Sequence, residues 1–355
     1  MGRSEKEFEA LLAKQQAAAR ERVLTQLRRG GGTVQDLAAQ AGTTAKLVQA
    51  VLEELKAANV VVHDHGGKLS IGTTVAPAYT DGEIPEYVSR KNNTFVFGAL
   101  GDSHLGSKYE RLDVLNDLYD RYQAAGVDRV FHTGNWIDGD EPKNRHDISV
   151  HGMEAQLDYL AAEYPLRKGL VTYAVTGEDH EGWWTRSEGI DIGGRAEDTM
   201  RKHGREDWVN LGFMESHVRL VNANSGASSV VAVVHPGGGT AYALSYSIQK
   251  IIEALEGGEK PAVGLYGHYH KIWCGNIRNV WCICTGAQQD QTVFTRNKVK
   301  QEVHVGGTQI ELEQDPRTGA IIGCTAKLMR YFARGYYNGR WNRARAAVKP
   351  ARSVA

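Results

Sequence analysis

Five short islands of side chains able to hold a metal ion recur along this chain: Asp102 with His104, Gly134-Asn135, Gly177-Glu178-Asp179-His180, His235, and Gly267-His268-Tyr269-His270. The stretches between them are too long for local coordination, so any shared site requires a fold that gathers the islands. Imidazole and carboxylate donors suit manganese, iron, zinc and related ions better than calcium. A phosphodiester resists hydrolysis because its charge repels nucleophiles. Two cations a few ångströms apart can bind the phosphate, acidify a water and stabilise the leaving oxygen together. The chemistry expected of the islands is therefore hydrolysis at phosphorus. Taken singly, a histidine is more often neither ligand nor catalyst, and His132, His146, His151, His203, His217 and His304 are read that way. His104, His235, His268 and His270 escape that reading only as a set.

The elements around the islands follow an α/β pattern from Thr94 onward. Apolar runs at Phe95 to Leu100, Arg129 to His132, Leu170 to Val175, Val230 to Val234 and Ala262 to Tyr266 read as strands. Helical spacing marks Leu112 to Ala124, Glu154 to Tyr164 and Ile248 to Leu255. Each island comes directly after a strand, the edge of an open α/β sheet where ligand sites form.

The N-terminal part differs. Val23, Leu24 and Leu27 have helical spacing before Gly30-Gly31-Gly32. Thr33 with Asp36 is a helix-start signal for Val34 to Gln40, and Leu47, Val48, Val51, Leu52 and Leu55 form one apolar stripe. Val60-Val61-Val62 and Lys68 to Ile71, joined across residues 63–67, read as a two-stranded wing. Helix, helix, turn, helix and hairpin in this order resembles the winged helix-turn-helix, whose third helix normally enters the major groove. That resemblance implies contacts to nucleic acid from Thr44, Lys46 and Gln49; protein contact or dimerisation is the competing use of such a module. Domain bounds are set at 1–75 for this unit, 76–93 for a linker containing Pro77, Gly82 and Pro85, 94–335 for the α/β domain and 336–355 for a tail. The tail holds Arg340, Arg343, Arg345, Lys349 and Arg352 without an acidic residue, a grip on phosphates or a solvated end.

Composition sets looser bounds. Lys and Arg total 42, as do Asp and Glu, so any binding to a polyanion must be local. No apolar run approaches the ~20 residues of a membrane span. The start, Met1 to Arg22, is unlike a signal peptide. A soluble, cytoplasmic protein is expected, in the host cytoplasm if phage-encoded, with homo-oligomers open. Four cysteines without CxxC spacing read as small buried hydrophobes.

The order D-x-H, G-[DN], a G-N-H-[DE]-like turn, a lone His and G-H-x-H resembles the calcineurin-like metallophosphoesterase superfamily over residues 94 to 290. Gly286 to Gln291 and Val305-Gly306-Gly307 look like its phage-encoded, repair-nuclease-like members. The resemblance implies an αββα sandwich and two divalent ions, manganese foremost with zinc, iron or magnesium compatible. Asp102, His104 and His270 would hold the first ion and His235 and His268 the second. With the winged helix, it implies a phosphodiesterase acting on nucleic acid, expected to be a DNA nuclease. A phosphatase or small-nucleotide phosphodiesterase, and an inactive DNA-binding or structural protein, are the alternatives.

Two positions depart from the pattern. Asn135 stands where the superfamily usually has a bridging aspartate, and Glu178 where it has the asparagine of the turn. Read together, the exchange conserves ligand charge, with Glu178 supplying the carboxylate missing at Asn135 and Asp138 in reserve. The catalytic histidine is also displaced: Asp179 occupies its place without a gap, and His180 lies one residue on. His180 is the better proton donor, because an ionised Asp would repel phosphate. Arg145, His146 and Arg186 either contact substrate or form a solvated face. Trp183 and Trp184 either stack on bases or pack in the core. Gly237-Gly238-Gly239 lacks the Lys-Ser/Thr ending of a nucleotide P-loop and is assigned to a close backbone approach beside His235.

Overall fold

The computed structural model of the chain describes residues 16–27, 32–57, 62–65, 68–70, 84–239, 241, 243–255 and 260–332. The basic tail and most of the expected linker lie outside them.

In the N-terminal region, a helix over residues 16–27 (α1) precedes α2 (Val34–Ala41), α3 (Ala45–Ala57), β1 (His63–His65) and β2 (Lys68–Ser70). The Thr33 hydroxyl accepts the Asp36 N–H at 3.2 Å, and the Asp36 carboxylate accepts the Thr33 N–H at 3.1 Å. This reciprocal cap satisfies two N–H groups that the first helical turn leaves over. Gly42, left-handed at φ 60°, ends α2. Val23, Leu24 and Leu27 then pack on Leu37, Val48, Val51, Leu52 and Leu55, the apolar stripes read from the sequence. The hairpin is shifted from its expected place. His63 pairs with Ser70 and His65 with Lys68, so residues assigned to the turn form a strand, and Leu69 bridges back to Gly32. Val60 and Val61 lie outside the described residues.

From residue 84 the chain builds two six-stranded mixed sheets. The first orders β14 (Ile321–Tyr331), β13 (Val305–Gln314), β4 (Thr94–Leu100), β5 (Arg129–His132), β6 (Val171–Thr176) and β7 (Trp208–Phe213). The second orders β11 (Ile272–Ile277), β12 (Val280–Thr285), β10 (Val263–Tyr266), β9 (Ser228–Val234), β8 (Glu215–Val221) and β3 (Glu86–Val88). β4, β5 and β6 run parallel, as do β9 and β10, so both sheets deliver the loops after these strands.

Alternation along β4 explains the layering. Phe95, Phe97 and Ala99 point between the sheets, where they join Phe131, Val218, Val231, Val233, Leu265, Ile283 and Ile310 in one buried cluster. Val96 and Leu100 point outward against α4 (Leu112–Ala124), which buries Val114, Leu115, Leu118, Tyr119 and Tyr122 at helical spacing. α5 (Met153–Glu163) and α7 (Ile192–Lys202) cover the same face, and α8 (Tyr246–Ala254) covers β9, β10 and β12 through Ile248 and Ile252. This helix, sheet, sheet, helix order is the expected αββα sandwich. Each fully buried apolar side chain contributes roughly 1.5–3 kcal/mol before conformational entropy is counted. Gly98 is required where it stands, because a Cβ there would lie 2.8 Å from the Tyr122 ring. That ring must reach Thr308 O, to which its hydroxyl donates at 3.1 Å.

β7, β8, β11 and the β13–β14 hairpin were not among the expected strands. α6 (Gly182–Glu188) and α7 were not expected either. Among the described residues, no helix is long and apolar enough to cross a membrane.

Candidate metal centre

The loops that follow β4, β5, β6, β9 and β10 meet at one end of the sandwich. They bring three His/Asp groups within ligating reach: Asp102, His104 and His270; Asp179, His235 and His268; and His104, Asp138 and His180. Among the described residues, eleven non-glycine residues have positive φ, and six of them are Asp102, His104, Asn135, His180, His268 and His270. A left-handed backbone is costly for a residue with a Cβ and persists where surrounding structure holds it. Here it aims the side chains of tight post-strand turns at a common point.

In the first group, His270 Nε2 lies 3.4 Å and His104 Nε2 3.9 Å from Asp102 Oδ1. The two Nε2 atoms are 3.2 Å apart. His104 Nδ1 faces Asp138 Oδ1 at 3.0 Å, so it carries the proton and leaves the Nε2 lone pair directed at His270. Two imidazole nitrogens at this distance can share a proton, as an N–H···N hydrogen bond, or a cation.

In the second group, His235 Nδ1 donates to Thr133 O at 2.6 Å, freeing Nε2, which lies 3.6 Å from Asp179 Oδ1. His268 Nε2 donates to Gly238 O at 2.6 Å and leaves Nδ1 with its lone pair. Gly134, at φ 92°, permits this approach: a Cβ there would lie 2.5 Å from His235 Nδ1. Asp102 joins the groups, because its Oδ2 accepts the His268 N–H at 2.8 Å and its Oδ1 the Asn135 amide at 3.3 Å.

The donors fit divalent cations. His235 Nε2, Asp179 Oδ1 and Asn135 Oδ1 are buried without a protein hydrogen-bond partner, which is costly for polar atoms unless something else coordinates them. The electrostatics agree. Burial alone would push the Asp102 carboxyl up, yet His270, His235 and His104 hold it well below the usual carboxylate range. Asp179 is held down likewise by His180, His235 and His268. Burial, with His180 beside it, pushes His104 down to about 4. At His235 the carboxylates of Asp179 and Asp102 outweigh burial and raise the imidazole to about 9. The site thus draws positive charge to itself, and metal binding there displaces protons.

The structure corrects the assignment of Glu178. Its carboxylate packs against Gly237, where a Cβ would lie 1.9 Å from Oε2, and turns toward Arg186 at 3.9 Å. Glu178 belongs to none of the three groups. The turn carries one residue more than the G-N-H-[DE] pattern, so Asp179 rather than Glu178 faces His235 and stands with His235 and His268. Asn135 lies beside Asp102, its amide 3.3 Å from Oδ1. His180 comes next to Asp138, its Nδ1 2.8 Å from the Asp138 carbonyl and 3.2 Å from Oδ1. Its other nitrogen lies 3.9 Å from Asp179 Oδ2. Asp179 and Asp138 together outweigh burial and lift the His180 imidazole to about 10, so it holds its proton at neutral pH.

Asp138, held in reserve as a ligand, orients two imidazoles at once. Glu181 was not singled out. Wholly buried, its Oε1 accepts the N–H groups of both Asn135 and Gly177 at 2.8 Å and so ties two of the loops together. Burial pushes its carboxyl up to about 7. Its only sequence signal was its place after His180 in the turn.

The remaining residues divide as follows. Trp184 is buried in the helix-side core and Trp183 packs on it at 5.9 Å, which leaves neither as a base-stacking platform. Arg145 pairs with Asp140 at 2.9 Å, and Arg186 faces Glu178. Only His146 of those three lines the cavity over the site. Gly237 approaches Glu178 rather than His235, and the Gly238 carbonyl accepts from His268, with open space at the Gly238 and Gly239 Cα positions. Thr44, Lys46 and Gln49 are exposed on or just before α3.

No protein-family profile and no curated protein matches the chain. Solved structures resemble it distantly. An archaeal phosphodiesterase aligns over 66% of this chain and 100% of its own, at 11% identity and a TM-score of 0.35. GAP50, an anchor in the inner membrane complex of Plasmodium, aligns over 72% and 95%, at 14% identity and 0.38. The phosphoesterase Yfce of E. coli aligns over 65% and 98%, at 11% identity and 0.32. At these scores the functional reading rests on this chain's own residues.

Proposed function

We propose that the chain is a metal-dependent phosphodiesterase acting on nucleic acid, with DNA as the substrate. The observation that carries this reading is the convergence of Asp102, His104 and His270 beside Asp179, His235 and His268, with His180 at their edge. Two divalent ions held there supply Lewis acidity toward phosphoryl oxygens and a nucleophilic water at neutral pH. His104, Asp102 and His270 would hold one ion, and His235, His268 and Asp179 the other, with the Asn135 carbonyl oxygen between them. Asp138 fixes the ring of His180, whose Nε2 hydrogen is presented to a phosphate or leaving oxygen. Glu181 keeps the Asn135 and Gly177 loops in register. Manganese is the proposed metal, with zinc, iron or magnesium compatible with the same donors. The exposed Thr44, Lys46 and Gln49 of the N-terminal module support nucleic acid over other phosphoesters.

The cavity above the site encloses about 770 Å³, within the range of small-ligand pockets. That size favours, as a second reading, a small-nucleotide phosphodiesterase whose N-terminal module serves assembly. One comparison separates them: purified protein with manganese is offered single-stranded DNA, duplex DNA and a simple aryl phosphodiester, with His104→Ala as control. Cleavage of DNA, lost in the control, is the expected result. Turnover of the ester alone would support the second reading, and metal binding with no turnover would mark an inactive site.

A further inference from the structure

One wall of the cavity is not accounted for by metal or proton chemistry. It is formed by residues 292–303, including Val293, Phe294, Val299 and Val303, and runs on to His304, whose N–H donates to His270 O at 2.9 Å. Val293 and Phe294 are 54% and 53% exposed, two consecutive large apolar side chains at the mouth of a polar, charged site. Exposed hydrophobics scattered singly are ordinary; two adjacent ones lining a concave site offer an apolar contact surface to whatever enters it. The segment is also preformed. It contains a π-helical turn (Thr295–Val299) closed by left-handed Lys300 at φ 57°, a rare conformation that is frequent at functional sites. The Gln291 amide donates to Gln301 O at 2.6 Å, Arg296 to Gln291 Oε1 at 3.1 Å, and the Gln301 amide to Ala241 O at 3.3 Å. The last bond ties this wall to the loop after His235. Lys298 and Lys143, the latter paired with Glu141 at 2.7 Å, add positive charge to the lining.

We propose that Phe294, backed by Val293, is a stacking platform for the base of the nucleotide that carries the scissile phosphate, so that an unpaired strand rather than a duplex enters the cavity. A ligand filling it can offer phosphate to the His and Asp groups, a flat apolar face to Phe294 and negative charge to the two lysines. A nucleotide with its base unstacked has all three. This inference rests on the nucleotide-phosphodiester reading above.

The test uses full-length protein loaded with manganese and carrying His180→Ala so that strands survive, and calorimetry reads the dissociation constant. The probes are a pentathymidylate and a pentamer of abasic residues, which keeps the phosphodiesters and lacks the bases. Phe294→Ala is expected to weaken the pentathymidylate about tenfold, within the 1–3 kcal/mol of one base–aromatic stack, and to leave the abasic strand unchanged. Phe294→Trp should retain the affinity. Equal weakening of both strands, no change in either, or no binding of pentathymidylate by the His180→Ala protein would overturn the platform. The parent reading is separable. If the His180-containing protein cleaves no strand while Phe294 still discriminates base from abasic, the platform stands and the nuclease falls. Cleavage of both strands at one rate, with Phe294→Ala indifferent, would do the reverse.

Discussion

Asp179→Asn is expected to reduce bound manganese from two ions per chain to one, weakening the second position on the order of 100-fold or more. Losing a partner that merely orients a ligand costs 10–100-fold, and Asp179 is itself a donor. Its Oδ1 lies 3.6 Å from His235 Nε2 and has no protein hydrogen-bond partner, so a neutral amide there removes the charge that offsets a divalent ion. The paired variant Asn135→Asp with Asp179→Asn should restore two ions, because the carboxylate is returned to the neighbouring loop across the same space. Asn135→Asp alone should leave the count at two. Titration calorimetry with manganese reads all three proteins. If Asp179→Asn keeps two tight ions, the exchange of charge between these loops is not what holds the second one.

His180→Ala should lower kcat by about 10²- to 10⁴-fold, the span of a positioned proton donor, with manganese content unchanged. The imidazole is fixed by Asp138 rather than by an ion, since its Nδ1 lies 2.8 Å from the Asp138 carbonyl. A substrate whose leaving group needs no proton, such as a nitrophenyl diester, should lose much less. Equal loss on both esters, or loss of metal, would move His180 out of the donor role and into the ligand set.

Much of this site was legible because each ligand island directly follows an apolar strand, and a parallel sheet places such ends together. Phe95 to Leu100 and Ala262 to Tyr266 have no polar face to confuse the period, and the structure places strands there within a residue. β8 is different. Its exposure alternates along Glu215–Val221, so its apolar side is only Val218 and Leu220 with Ser216, a weak signal in a polar stretch. The β13–β14 hairpin likewise alternates Ile310 and Leu312 with Glu311 and Glu313.

The choice between Glu178 and Asp179 was not legible for another reason. An extra residue in a turn leaves composition and order intact, and only the path of the backbone, with Gly139 against the His180 carbonyl and Gly237 against Glu178, decides which carboxylate faces inward. Glu181 escaped notice because its value lies in burial and in two backbone N–H partners. A glutamate next to a histidine has no such mark in a sequence.

The most direct test is diffraction from crystals of the full chain grown with manganese, collected at a wavelength where the metal scatters anomalously. Two peaks per chain are expected, one among Asp102, His104 and His270 and the other among Asp179, His235 and His268. No peak at these residues, or a single ion bound elsewhere, would contradict the account.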